Sequence, residues 1–156
     1  MTLRTRLPDR ITGSSTARSL LVVSDTHVGS ALAADFDGAA GVTLVTDRDA
    51  VATAAPDGVR TIVGDVTTRD VLSAVDADET TIALLALESD RQTLLVRQLL
   101  RTRFGVEDVV VLLNDPGRRA ALADATTTVI CGSTCLAAAL GEAVEQTLPE
   151  PTESHL

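Results

Sequence analysis

Two rhythms of apolar positions alternate along this chain. Short runs that stay apolar over consecutive positions recur as "SLLVV", "GVTLVTD", "GVRTIVGD", "TTIALLALE", "VEDVVVLLND" and "TTTVICG". They are β-branched and apolar on both faces, the pattern of strands buried in a parallel sheet. Between them lie the helical patterns "HVGSALAADF", "RDAVATAA", "TRDVLSAV", "DRQTLLVRQLLRTRFG" and "DPGRRAALADA", and a final helix, "STCLAAALGEAVEQTL", follows the last strand. Gly105 is predicted to end the long fourth helix in a left-handed cap, and Pro116 to sit at a helix start, where its missing N–H costs nothing. In that long helix Leu94, Leu95, Leu99 and Leu100 are expected in the core, with some surface left for a dimer seam, and the arginines on a solvated face. Six strands alternating with helices predict an α/β fold, a doubly wound, mostly parallel six-stranded sheet with helices on both faces.

The ends read differently. Residues 1–18 carry Arg4, Arg6, Arg10 and Arg18 against Asp9 and are expected to form a basic flexible arm. The folded domain spans 19–147, and 148–156, with two prolines and no core, reads as a flexible tail. The formal charge is −9 over 156 residues; since the arm contributes +3, the remainder stands near −12. An acidic body argues against nucleic acid as a partner. All thirteen basic residues are arginine, and this acidic, lysine-free composition suits a high-salt cytoplasm or a GC-rich genome. No apolar run reaches the ~20 residues a membrane span requires, and no secretory signal is visible, so a cytoplasmic protein without direct membrane insertion is expected. Aromatic residues amount to 1%, so the core must come from aliphatic side chains. Cys131 and Cys135, four apart in "CGSTC", are expected to be buried or half-buried free thiols.

Candidate chemistry concentrates in "VVSDTHVGSALA", residues 22–33. Asp25 and His27, with Gly64–Asp65 and Asn114–Asp115 downstream, loosely echo the metal-binding blocks of calcineurin-like metallophosphoesterases. A two-metal site needs several imidazoles beside its carboxylates, and this chain has two histidines, His27 and His155. Counting ligands excludes the metal. The same stretch also reads as an altered G-x-G-x-x-G loop. Ser24, Thr26 and Gly29 stand at the three glycine positions, and Asp47 ends the next strand at the distance expected of a ribose-binding acid.

With these blocks in order, the chain resembles the TrkA-N or RCK N-lobe, the Rossmann-like regulatory domain of potassium transporters and channels. The resemblance covers residues 19–147. It rests on the loop, on "VTDRD", "VGDVTTRDVL" and "LLVRQLLRTRFG", and on the corner "LLNDPGRRAAL". It implies a cytosolic, homodimeric, ligand-sensing subunit that binds NAD(H) or an adenine nucleotide and acts on a membrane potassium transporter or channel subunit. By position, Ser24, Asp25, Thr26, His27, Val28 and Gly29 would face the pyrophosphate. Asp47 and Arg48 would lie at the ribose, Gly64 and Asp65 beside the adenine, and Leu87 and Glu88, in the stretch Ala86–Glu88, at the far rim.

The departures from the family pattern fall on the ligand side. His27 and Leu112 stand where arginines are usual, and Thr93 replaces an asparagine. Ser24 and Thr26 add side chains where glycines let backbone N–H groups approach the pyrophosphate, and Thr suits a strained backbone angle poorly. Asp25 puts a carboxylate at the mouth. Ser24 and Asp25 are also good helix-capping types, so the loop is expected to satisfy itself and nucleotide binding to be weakened or lost. Asp65 and Thr67 are expected either to meet ligand or to cap the helix after them. No constellation converges that would make this an enzyme. Two other readings remain beside the sensor: a small NAD(P)-dependent oxidoreductase, and a dimeric interaction module that has lost its ligand.

Overall fold

In the computed structural model, which describes residues 18–151, the first strand β1 (Ser19–Ser24) lies inside the sheet and loses both faces to the core. Its alternation divides the interior. Leu21 and Val23 enter the larger hydrophobic cluster, and Leu20 and Val22 enter a smaller one on the opposite face. On either side run β2 (Gly41–Thr46) and β4 (Ile82–Ala86), then β3 (Arg60–Val63) outside β2, and β5 (Val109–Leu113) and β6 (Thr127–Cys131) outside β4. The order is β3-β2-β1-β4-β5-β6, and every pairing is parallel, with Val22 opposite Leu44 on one side and Leu84 on the other. All six predicted strands are present. The chain reverses its direction of travel across the sheet between β1 and β4, which opens a crevice at their C-terminal ends.

Helices α1 (His27–Phe36) and α2 (Asp49–Ala54) cover one face over β1 and β2. Helix α3 (Arg69–Ala74), a 3₁₀ turn at Ala77–Glu79, and α4 (Asp90–Phe104) pack on the other. A second 3₁₀ turn, Pro116–Arg118, leads into the short α5 (Arg119–Leu122), and α6 (Gly132–Thr147) closes the order. The 3₁₀ turn at Ala77–Glu79 carries no sequence signal. The predicted caps are in place: Gly105 is left-handed (φ 69°), and Pro116 opens its turn behind Asp115, whose carboxylate accepts from the Gly117 amide.

Two expectations need correction. The phase of α4 is set by the sheet beneath it, so its buried positions are Asp90, Thr93, Val96, Arg97 and Leu100; Leu94 and Leu99 are half-buried, and Leu95 is exposed. Arg97 is therefore not on a solvated face. It is 8% exposed, donates to Thr127 Oγ1 at 3.1 Å and pairs with Asp124, which also receives Arg101 at 2.6 Å.

Helix α6 leaves most of its length uncovered. Only Gly132 in it is buried, and a stripe of Leu136, Leu140, Val144 and Leu148 stands exposed at four-residue spacing. On the face that carries α1, helices cover only half the sheet. A bare apolar groove of about 530 Å³ runs along the other half, lined by Leu20, Leu32, Ile82, Leu84, Val110 and Ile130. The basic arm, apart from Arg18, and residues 152–156 of the tail lie outside the described residues; Leu148–Pro151 are exposed. Among the described residues no helix is long and apolar enough to cross a membrane.

Candidate functional site

The crevice is built by the loops that follow β1, β2 and β4. Ser24, the last residue of β1, is buried; its hydroxyl donates to Ala86 O on β4 at 2.7 Å and accepts from Thr26 N at 3.2 Å. Thr26 caps α1, accepting from Val28 N at 3.3 Å, and the Gly29 amide turns back to Thr26 O at 3.1 Å. A Cβ on Gly29 would overlap that of Ser24, so this glycine is required by the serine that packs on it. No residue of the loop is left-handed, and Thr26 is extended (φ −130°, ψ 168°). Serine and threonine are thus tolerated without strain, contrary to the expectation from a glycine loop. The capping residue is Thr26, and not Ser24 or Asp25.

Asp25 does something else. It is 7% exposed, and its Oδ1 accepts from the backbone N of Glu88 at 3.0 Å, which ties the β1–α1 loop to the β4–α4 loop. The Glu88 side chain reaches across to Arg48, whose Nη2 lies 3.3 Å from Oε1. Arg48 belongs to the β2–α2 loop, and its own amide donates to Thr46 Oγ1 at 3.1 Å. The predicted residues Asp25, Arg48 and Glu88, from three separate loops, therefore meet over the end of β1.

The remaining predicted residues divide. His27 and Val28 are exposed on the first turn of α1. Asp47 is exposed at the end of β2, with no partner for its carboxylate among the described residues. Gly64 donates from its amide to Thr46 O, next to Asp47, and a Cβ there would press on Val71. Asp65 caps no helix. Its carboxylate takes both the amide and the hydroxyl of Thr67, at 2.9 and 2.6 Å, and the Thr67 hydroxyl holds its pKa below the ordinary carboxylate value. The cap of α3 is Thr68, accepting from Val71 N. Leu87 is core, so only its backbone belongs to the rim. Of the two departures away from the loop, Thr93 is buried and returns its hydroxyl to Ser89 O, whereas Leu112 faces the bare groove.

Sequence reasoning missed one anchor. Asp90, at the start of α4, is buried and accepts from the amides of Asn114 and Asp115, both at 2.9 Å. Asn114 Nδ2 donates to Leu87 O and Glu88 O, both at 3.0 Å. This network holds the rim from behind, and an acid after Ser89 opening a long helix was its only signal. Among the described residues no three His, Cys, Asp or Glu side chains group as metal ligands would. Cys131 is half-buried and Cys135 exposed, so the second thiol departs from expectation. The Ser133 hydroxyl, with Thr134, lowers the Cys131 thiol pKa to about 7.

A dinucleotide can be tested against this geometry. The ribose end fits, since Asp47 is open at the end of β2 and Gly64 lies beside it. The pyrophosphate does not. The amides of Thr26 and Val28 are already taken by Ser24 and Thr26 hydroxyls, and the Asp25 carboxylate is held between the β1–α1 and β4–α4 loops. Two unit charges ~4 Å apart repel by about 4 kcal/mol at an effective dielectric of ~20.

Similarity to known proteins agrees with this architecture. No curated protein sequence matches the chain. Among solved structures it is similar to the TrkA-N domain of the inner membrane protein ybaL from Escherichia coli, with a TM-score of 0.69 at 14% identity over 82% of this chain and 97% of that one. It is similar to the GsuK channel bound to NAD (TM-score 0.67, 19% identity), covering 86% of this chain and 24% of the channel's. The Kef C-terminal domain of Shewanella denitrificans in its AMP-bound form gives a TM-score of 0.65 at 10% identity, covering 84% of this chain and 83% of that one. At such identities the likeness is one of fold. The TrkA-N domain model matches residues 20–132, from β1 to the first residue of α6 and with the altered loop included, so the chain belongs to the TrkA-N domain family.

Proposed function

We propose that this chain is a cytosolic regulatory domain of a potassium transport system, peripheral to the membrane through a transporter or channel partner, and that it works without catalysis. The family match over the whole sheet carries the reading. The NAD-bound GsuK channel and the AMP-bound Kef domain support it, since one holds this fold within a channel and each holds it with a nucleotide bound. The crevice of this chain is the counterpart site. With Asp47 open at the ribose end and the phosphate end already satisfied, it binds an adenine nucleotide or NAD(H) weakly. The test is disruption of the gene in its source organism with potassium uptake measured across external concentrations. A shifted set-point is expected; uptake unchanged at every concentration overturns the reading.

We further infer a homodimer. The chain carries two unpaired apolar faces of matching kind, the groove over β4, β5 and β6 and the stripe along α6. Ile130, which lines the groove, stands two residues before that helix. Two copies that exchange α6 would cover both faces at once, and burial of apolar area is the driving force. A dimeric module that has lost its ligand remains the second reading, favoured by the same exposed faces.

A further inference from the structure

We propose that Asp25 is a built-in anion that occupies the place of a ligand's pyrophosphate, so that the crevice accepts a nucleoside far better than any nucleotide with phosphate at the loop. The inference rests on reading the crevice as a nucleotide site. Three features of the loops carry it. The Asp25 carboxylate is almost fully buried and receives the Glu88 amide at 3.0 Å, so it cannot swing into solvent without giving up that hydrogen bond. The Thr26 and Val28 amides, which a phosphate would need at the start of α1, are satisfied within the loop by Ser24 Oγ and Thr26 Oγ1. Arg48, the cation of the β2–α2 loop, already has the Glu88 carboxylate 3.3 Å from one of its nitrogens, which an incoming anion would have to compete with.

The three act in the same direction. A phosphate entering the loop would meet a carboxylate held at its edge, two amides already bonded, and a guanidinium with an acid already beside it. Of these contacts only the exposed Arg48–Glu88 pair reaches the nucleoside end, beside Asp47. Asp47 and the Gly64 backbone are on the far side of β1 from Glu88, over β2 and β3. The loop has thus kept the family's architecture while supplying its own negative charge.

Asp25→Asn is the informative change, because the amide oxygen can still accept from the Glu88 N–H while the charge is lost. Binding of NAD, AMP and adenosine is titrated calorimetrically to the full-length wild type and to D25N, with Tm and circular dichroism as fold checks. The expected result is a rise of at least about tenfold in NAD and AMP affinity in D25N, with adenosine changed less than about twofold. Equal NAD affinity in both proteins overturns the built-in anion and leaves the nucleotide reading standing. No binding of any of the three by folded D25N overturns the nucleotide reading and this inference with it.

Should D25N not fold, the wild type alone decides. Millimolar inorganic pyrophosphate is added while the Thr26–Gly29 amide resonances are followed. Unmoved resonances are expected, and saturable shifts would overturn the proposal.

Discussion

Asp25 and Glu88, 63 residues apart in sequence, are joined by a hydrogen bond from the Glu88 backbone N–H to Asp25 Oδ1 at 3.0 Å. The bond is part-buried, with its acceptor inside and its donor residue at the surface. Removing the acceptor strands a donor at the rim of the sheet, so Asp25→Ala should cost about 1.5–3 kcal/mol in chemical denaturation. Exchange of the Glu88 amide should speed up in the same variant. Unchanged stability together with unchanged exchange would show that the tie does not hold the rim.

Ser24 and Gly29 pack so closely that neither can change alone. Gly29→Ala drives a methyl into the Ser24 side chain and should destabilise by about 1–3 kcal/mol. Ser24→Gly makes room but loses the hydrogen bond to Ala86 O. The double variant should therefore be more stable than the sum of the two singles predicts, by about 1 kcal/mol in a double-mutant cycle. Strict additivity would mean that the loop relaxes in some other way.

Asp124 gathers Arg97 and Arg101, and the Arg101 guanidinium first among its neighbours holds the carboxyl well below the usual carboxylate range. A depressed folded pKa stabilises the fold fully above the unfolded value, roughly 3.9, and that stabilisation is lost as pH falls through the folded value. The wild type should lose stability on acidification through that window, and Asp124→Asn should flatten this limb of the profile. Parallel acid profiles for the two proteins would contradict the assignment.

The Cys131 thiol, lowered to about 7 by Ser133 and Thr134, should be alkylated by iodoacetamide with a rate that rises half-maximally near pH 7. That component should vanish in Cys131→Ser and move to higher pH in Ser133→Ala. A rate profile that is indifferent to both changes removes the thiolate.

The exposed stripe on α6 gives the oligomer prediction. Light scattering after size exclusion should find a dimer for the wild type and a monomer for Leu140→Asp, whose Leu140 is 65% exposed in the single chain. Because the side chain is outside the core, thermal unfolding should shift only as far as loss of the dimer requires. A monomeric wild type would overturn the exchanged-helix arrangement.

The sheet could be read in advance because each of its strands carries its own evidence. "SLLVV" or "VVVLL" is apolar on consecutive positions, which only burial on both faces rewards, and the runs are spaced by helix-length segments. The altered loop was equally visible, since its position depends on order along the chain: strand, Ser24 to Gly29, helix, and Asp47 at the next strand end. Helix phase was less so. Leu94, Leu95, Leu99 and Leu100 are similar in hydropathy, and only the position of the sheet put Leu95 outside and Arg97 inside.

By itself, then, the sequence determined the element order, the parallel sheet, the family and the place of the crevice, because periodicity and spacing are local properties that survive without coordinates. Tertiary structure alone decided what the crevice contains. Asp25 reads locally as a helix cap, and its actual partner is an amide on another strand's loop. Arg48 and Glu88 meet because the strand order sets β1 between β2 and β4. It also decided that the apolar stripe of α6 is left exposed, since such a stripe records that burial is favourable but not which surface provides it.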